Sequence, residues 1–168
     1  AYMVEEVIRR VNQLKTSNEK NVVLGMSMGG LVGRYALRDM EIRGETHETK
    51  LYISHDSPHQ GANVPLAAQA LVRHLAGEEV SLPVFFSLFD VTIFDLGDNI
   101  DDLNDGLTLL QSPAVQQMLI YQLQGVGDNL SVNSNSLQSS FLNEYKNMGY
   151  PQQLGIRNIA ISNGSECG

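Results

Sequence analysis

Residues 25–29 read Gly-Met-Ser-Met-Gly, and they are the stretch of this chain best suited to chemistry. The serine has a glycine two positions to either side. The apolar run Val22-Val23-Leu24 precedes it, and helix-compatible sequence follows. Strand, tight turn and helix, in that order, make a nucleophile elbow. Such a turn holds its serine in a sparsely populated backbone conformation and lifts the Oγ clear of the sheet. On this reading Gly25 and Gly29 both supply the absence of side chain that the corner demands. The backbone N–H of Met28, at the start of the helix, is then free to donate to an oxyanion on the acyl group that Ser27 attacks. The plain alternative is a glycine-rich turn with an idle serine.

A second segment supports the first. Residues 25–35, Gly-Met-Ser-Met-Gly-Gly-Leu-Val-Gly-Arg-Tyr, resemble the elbow of lipase-like α/β-hydrolases, in which Gly-Gly-Leu-Val-x-Arg-Tyr commonly follows the serine. Residues 51–62, Leu-Tyr-Ile-Ser-His-Asp-Ser-Pro-His-Gln-Gly-Ala, are similar to the next strand of those enzymes and its Thr/Ser-Pro-His-x-Gly loop. The resemblance covers residues 20–65 and is architectural beyond them. It implies a partial α/β-hydrolase fold of class α/β: a parallel sheet, flanking helices and a helical lid insertion. It also implies a serine hydrolase of carboxylic esters that works through an acyl-enzyme on Ser27. The substrate would be a small-molecule or lipid acyl ester, with no metal or cofactor. Acyltransferase and peptidase chemistry use the same elbow. A catalytically silent domain that binds a ligand or partner keeps the fold without the reaction.

A hydroxyl nucleophile needs a base, and the base needs an orienting acid. In the resembled enzymes the chain order is serine, acid, histidine. Asp56, directly after the second strand, and Glu166, after the third, are the acid candidates here, with an acid beyond Gly168 as the other option. The plain role for Asp56 is to anchor its loop by hydrogen bonds to nearby amides. No histidine follows His74. His47 falls in a polar turn and His74 in mid-helix. His55 and His59 lie on the right edge of the sheet but resemble loop residues. The resemblance therefore implies a base outside this chain. It also implies a fragment lacking the N-terminal strands and the loop with the other oxyanion donor.

The elements that must position these groups follow from pattern. Residues 2–15 read as an amphipathic helix with Met3, Val4, Val7, Ile8, Val11 and Leu14 packed on the core. Glu5, Glu6, Arg9, Arg10 and Lys15 take the other face. The strand over 21–24 leads to the elbow helix, 28–42, which Gly44 stops. Gly29, Gly30 and Gly33 give that helix a smooth face against the sheet, and Arg34 and Arg38 are solvated or paired with Asp39 or Glu41. A second strand spans 50–54. Functional groups in parallel sheets gather beyond the C-terminal strand ends, so His55, Asp56, Ser57 and His59 share an edge with Ser27.

Three segments result: core over 1–62, a helical cap over 63–150, and a return to a core strand over 151–168. Within the cap, helices are expected over 63–76, 113–123 (capped by Ser112 with Pro113 at its first position) and 137–148, with a polar loop over 125–136. The apolar run 83–94 suits lid core or a substrate lining. Asp98, Asp101, Asp102 and Asp105 lack the ligand order of a calcium loop and read as a solvated stretch.

Composition sets outer limits. The chain has 168 residues, enough for a real core, with 42% hydrophobic and 18% charged residues. Its net charge of -8 disfavours nucleic acid and anionic membranes. No apolar run is long enough to span a bilayer, and no signal peptide is legible. The expectation is a soluble protein with its compartment open, secretion or periplasm included. One cysteine, Cys167, excludes an internal disulfide.

Overall fold

The computed structural model describes residues 1–75, 108, 111–124, 130–134 and 136–163. Its elements run α1 (Tyr2–Leu14), β1 (Asn21–Met26), α2 (Met28–Ile42), β2 (Thr49–His55), α3 (Leu66–Leu75), α4 (Pro113–Met118), β3 (Tyr121–Gln124), β4 (Ser131–Ser134), α5 (Ser136–Met148), a 3-10 turn (Gln153–Gly155) and β5 (Arg157–Ile161). They divide into two compact units, one of Ala1–Gln60 with Asn143–Gly168, the other of Gly61–Leu142. Among the described residues no helix is long and apolar enough to cross a membrane.

The first unit is a three-stranded parallel sheet in the order β1-β2-β5. Register is continuous from Val22↔Leu51 to Met26↔His55, and from Leu51↔Arg157 to His55↔Ile161. Parallel strands need a crossover between them, and α2 supplies the one from β1 to β2. Its core is Ile8 of α1, Leu37 and Met40 of α2, Tyr52 of β2 and Ile156, with Val4 and Val23 packed alongside. Gly44 ends α2 in the left-handed conformation (φ 74°), its N–H returning to Glu41 O.

Several expectations need correction here. Only Ile8 and Val4 of the α1 stripe join the core; Met3, Val7, Val11 and Leu14 are exposed. So are Val22, Leu24 and Met26, which alternate with the half-buried Val23 and the buried Gly25. Amphipathic period alone cannot say how much apolar surface a neighbour covers. Glu5, assigned to the solvated face, is buried and paired with Arg9 (3.1 Å) and Arg43. His47 is fully buried, with its Nδ1 accepting from Thr49 N (3.0 Å).

Among its described residues the second unit holds two strands as well as helices. Ser112 caps α4 with Pro113 in its first turn, as its sequence requires, but α4 stops at Met118 instead of running to 123. Residues 121–124 form β3, paired antiparallel with β4 inside what reads as a polar loop. The reason is tertiary. Gln69 of α3 donates to Tyr121 O (3.0 Å) and accepts from Leu123 N (3.0 Å), drawing the segment out into an extended ladder. The apolar run 83–94, the acidic run 98–105 and Cys167 lie outside the described residues.

Within the first unit, Glu41 of α2 gathers several partners. Its Oε1 accepts the backbone N–H groups of Gln152 (2.7 Å) and Gln153 (2.6 Å) and lies 3.1 Å from His47 Nε2; its Oε2 takes Arg38 Nη1 at 2.7 Å. Burial works to raise its pKa, but the Gln153 amide, Arg38, His47 and the Gln152 amide outweigh it and hold the carboxyl below its ordinary 4.5. A depressed folded value means stability that is present above the unfolded pKa and lost as pH falls through the folded one. Glu41→Gln is expected to cost about 2 kcal/mol at neutral pH, with the deficit shrinking toward about pH 3. Urea unfolding of both proteins at the two pH values checks this, and an equal deficit at both would exclude the charge as the cause.

Candidate active site

The corner between β1 and α2 is built by close approach. Gly25 has no room for a side chain: a Cβ there would sit 2.4 Å from the backbone of Gly29. At Gly29 itself a Cβ would meet nothing within 4 Å, so only the first of the two expected glycines is required by contact. Gly29 is also exposed, not packed on the sheet. Ser27 lies between them at φ 49°, ψ −125°, a conformation L-residues rarely adopt. It is exposed, and its hydroxyl hydrogen-bonds to none of the described residues. Its N–H continues the ladder to His55 O (3.0 Å). Met28 is the first residue of α2, where N–H groups have no intrahelical acceptor.

The structure brings Asp56 to the same edge. It follows His55, the register partner of Met26, and its N–H bonds to Ile161 O (2.7 Å) at φ 45°. Its side chain is exposed and makes no hydrogen bond to the described residues, so the expected loop-anchoring bonds to amides are not formed. Glu166 lies outside the described residues. His55 alternates to the sheet face opposite Ser54. His47 and His59 have both ring nitrogens in hydrogen bonds. The side chain of His74 lies outside the described ones. No cluster of three or more metal-ligating side chains occurs among the described residues.

Behind the corner sits a polar network that pattern reading misses. A Cβ on Gly30 would fall 2.1 Å from Ser57 Oγ and 2.6 Å from Ser54 Oγ, so the serines of β2 and its loop occupy that space. Gly30 N–H bonds to Ser27 O (3.1 Å), and Tyr52 OH donates to Gly30 O (2.5 Å). His59 Nε2 is 2.6 Å from Ser54 Oγ, and its Nδ1 is 2.8 Å from Tyr145 OH. Arg34, expected to be solvated or paired with Asp39 or Glu41, is 5% exposed. It donates to Tyr145 O and Gly149 O (2.9 Å each), with its guanidinium 3.9 Å and 3.8 Å from the Tyr145 and Tyr150 ring centres. Arg38 donates to Met148 O and pairs with Glu41 as expected. Burial, with Arg34 adding to it, pushes His59 below its ordinary 6.5.

An α/β sheet with an exposed, strained serine at a strand-to-helix corner defines the class: an α/β protein with the architecture of a serine hydrolase. The family model described as "Putative serine esterase (DUF676)" matches residues 2–147, and the chain belongs to that family. Searches of curated proteins and of solved structures found no match.

The two neighbouring glycines give a sharp contrast. Gly30→Ala is expected to lower stability by about 1–3 kcal/mol, because the Ser57 loop must move to admit a methyl group. Gly29→Ala is expected to be neutral or to add about 0.5 kcal/mol from helix propensity. Thermal denaturation of the pair checks this, and a Gly30→Ala protein as stable as Gly29→Ala would show that the Ser57 contact is not a constraint.

Proposed function

We propose that this chain carries the nucleophile of a carboxylic-ester hydrolase, with Ser27 forming an acyl-enzyme. The observation that supports it best is the conformation of Ser27: exposed, at positive φ, its hydroxyl free of hydrogen bonds to the described residues, and one residue ahead of the amides of α2. In this reading a base removes the Ser27 proton as Oγ attacks the acyl carbonyl. The Met28 N–H then donates to the carbonyl oxygen as it becomes an oxyanion. Collapse expels the alcohol, which takes the proton from the base, and water releases the acid by the reverse steps.

His47 and His59 are poorly suited to be that base, because both ring nitrogens of each are already committed. The reading follows the chain order serine, acid, histidine of the resembled enzymes and takes its base from a histidine other than these two, with one outside these 168 residues as the expectation. Asp56, with a free carboxylate on the Ser27 edge, is the first choice of orienting acid, and Glu166 is the second. Membership of a serine-esterase family and the geometry of the corner both favour ester hydrolysis over a silent binding role.

The test is covalent labelling of the intact protein by a fluorophosphonate, with peptide mapping, alongside hydrolysis of a p-nitrophenyl ester series. The adduct is expected on Ser27. Ser27→Ala should abolish labelling and lower kcat by at least about 10³-fold. Asp56→Asn should lower kcat by about 10²–10⁴-fold if it orients the base. A folded wild-type protein that resists labelling would overturn the reading.

A further inference from the structure

We infer that His59 is a positioning residue for the proposed reaction: a two-ended hydrogen-bonding strut between Ser54 and Tyr145 that holds the first turn of α2, and with it Ser27, in its reactive geometry. The inference rests on the acyl-transfer reading above and assigns a role to a histidine that the chemistry itself does not use.

The argument starts from what touches Gly30. This residue is three positions after the nucleophile, and its N–H closes the turn onto Ser27 O. Three groups hold it from the sheet side. Tyr52 OH grips its carbonyl, and the Ser54 and Ser57 hydroxyls fill the space where its side chain would be. Ser57 is fixed in turn by its bond to His55 O (3.2 Å). Ser54 is held by His59 Nε2, at 2.6 Å, together with its hydrogen bond to Tyr52. A loose Ser54 would leave the sheet side of the elbow without a rigid stop, and small displacements of a nucleophile are expensive in rate.

The other end of the strut is as specific. His59 Nδ1 meets Tyr145 OH at 2.8 Å, and the two rings stack at 5.9 Å with an 11° tilt. Tyr145 also holds Arg34 of α2, through its carbonyl and its ring face. One imidazole therefore joins two grips on α2, at Gly30 and at Arg34, four residues apart on one side of the helix.

The charge state follows from the surroundings. Among the described residues, the titratable and charged groups facing His59 are Arg34 from α2, Tyr145 from α5 and Tyr150 from the segment after α5, while Tyr52 from β2 bonds the same Ser54. Among the described residues no carboxylate hydrogen-bonds to it. A neutral ring offers one donor and one acceptor, which its two hydroxyl partners can complement. An imidazolium would face the Arg34 guanidinium in a half-buried site, with no carboxylate bonded to it among the described residues.

The test is the rate of Ser27 labelling by a fluorophosphonate in the intact protein, measured across pH. An amide at residue 59 can stand in for either ring nitrogen: His59→Gln for Nε2, keeping the Ser54 bond, and His59→Asn for Nδ1, keeping only the Tyr145 bond. His59→Ala is expected to slow labelling about tenfold. His59→Gln should recover most of that rate, while His59→Asn should not. The wild type should show an additional loss on the acid side, below the ordinary histidine value, that His59→Gln lacks. Tyr145→Phe, which removes one hydroxyl, should slow labelling about threefold and carries the test if the His59 variants do not fold. Labelling at the wild-type rate in folded His59→Ala, equal losses in the Gln, Asn and Ala variants, or an unaffected Tyr145→Phe would each overturn the inference while the acyl-transfer reading stands. Failure of the wild type to label at all would bring down both.

Discussion

The close approach of the first turn of α2 to the end of β2 is the constraint on which the rest of the first unit depends. It requires a backbone with no side chain at Gly30, because Ser54 and Ser57 stand in that space. It requires Gly25, because the same turn folds back over β1. Once the helix sits this near, Tyr52 OH reaches Gly30 O, and Ser27 N–H can remain in the ladder to His55 while its φ is positive. Strain in a backbone persists only where surrounding contacts over-determine it. Here those contacts come from a strand, a loop and a helix at once.

Two buried charges secure the same helix further along, by opposite means. Arg34 has no carboxylate partner among its hydrogen bonds. Its charge is met by two carbonyls and two aromatic faces, all of which follow α5 or lie at its end. Glu41 is met by two backbone amides, an arginine and a histidine. Removing one partner from such a group leaves an uncompensated charge, so each site specifies one docking of residues 145–153 on α2 far more sharply than apolar contact alone would. In this way a segment more than a hundred residues downstream is tied back beside the corner.

Much of this architecture is legible in the sequence, for identifiable reasons. The start of α2 at Met28 and its stop at Gly44 follow from a serine-glycine corner and a left-handed cap, which are local requirements. β1 and β2 are short apolar runs, and Leu-Tyr-Ile can hardly be anything else between polar turns. What escapes is whatever depends on a distant partner. Arg34 looks like a surface residue until its phase is compared with Leu31 and Leu37, three positions to either side and both buried. His47 reads as a turn residue because Asn12, Asn21 and Gln153, which bond its backbone, are brought to it only by the fold. Residues 121–124 have no internal reason to leave a helix; Gln69 and β4 supply it. Within the candidate site the corner at Ser27 is legible because its backbone geometry is encoded in five consecutive residues. An acid depends on where two strand ends meet, and that information is not local.

The positive φ of Ser27 also limits what could ever replace it. A branched β-carbon clashes in this region of backbone space, so threonine, the other hydroxyl residue, is excluded on steric grounds whatever its reactivity. Cysteine has the same single γ atom and no branch, and it fits the corner as serine does. The turn thus leaves one evolutionary exit open, from a hydroxyl to a thiol, and closes the route that would keep the hydroxyl and add a methyl group.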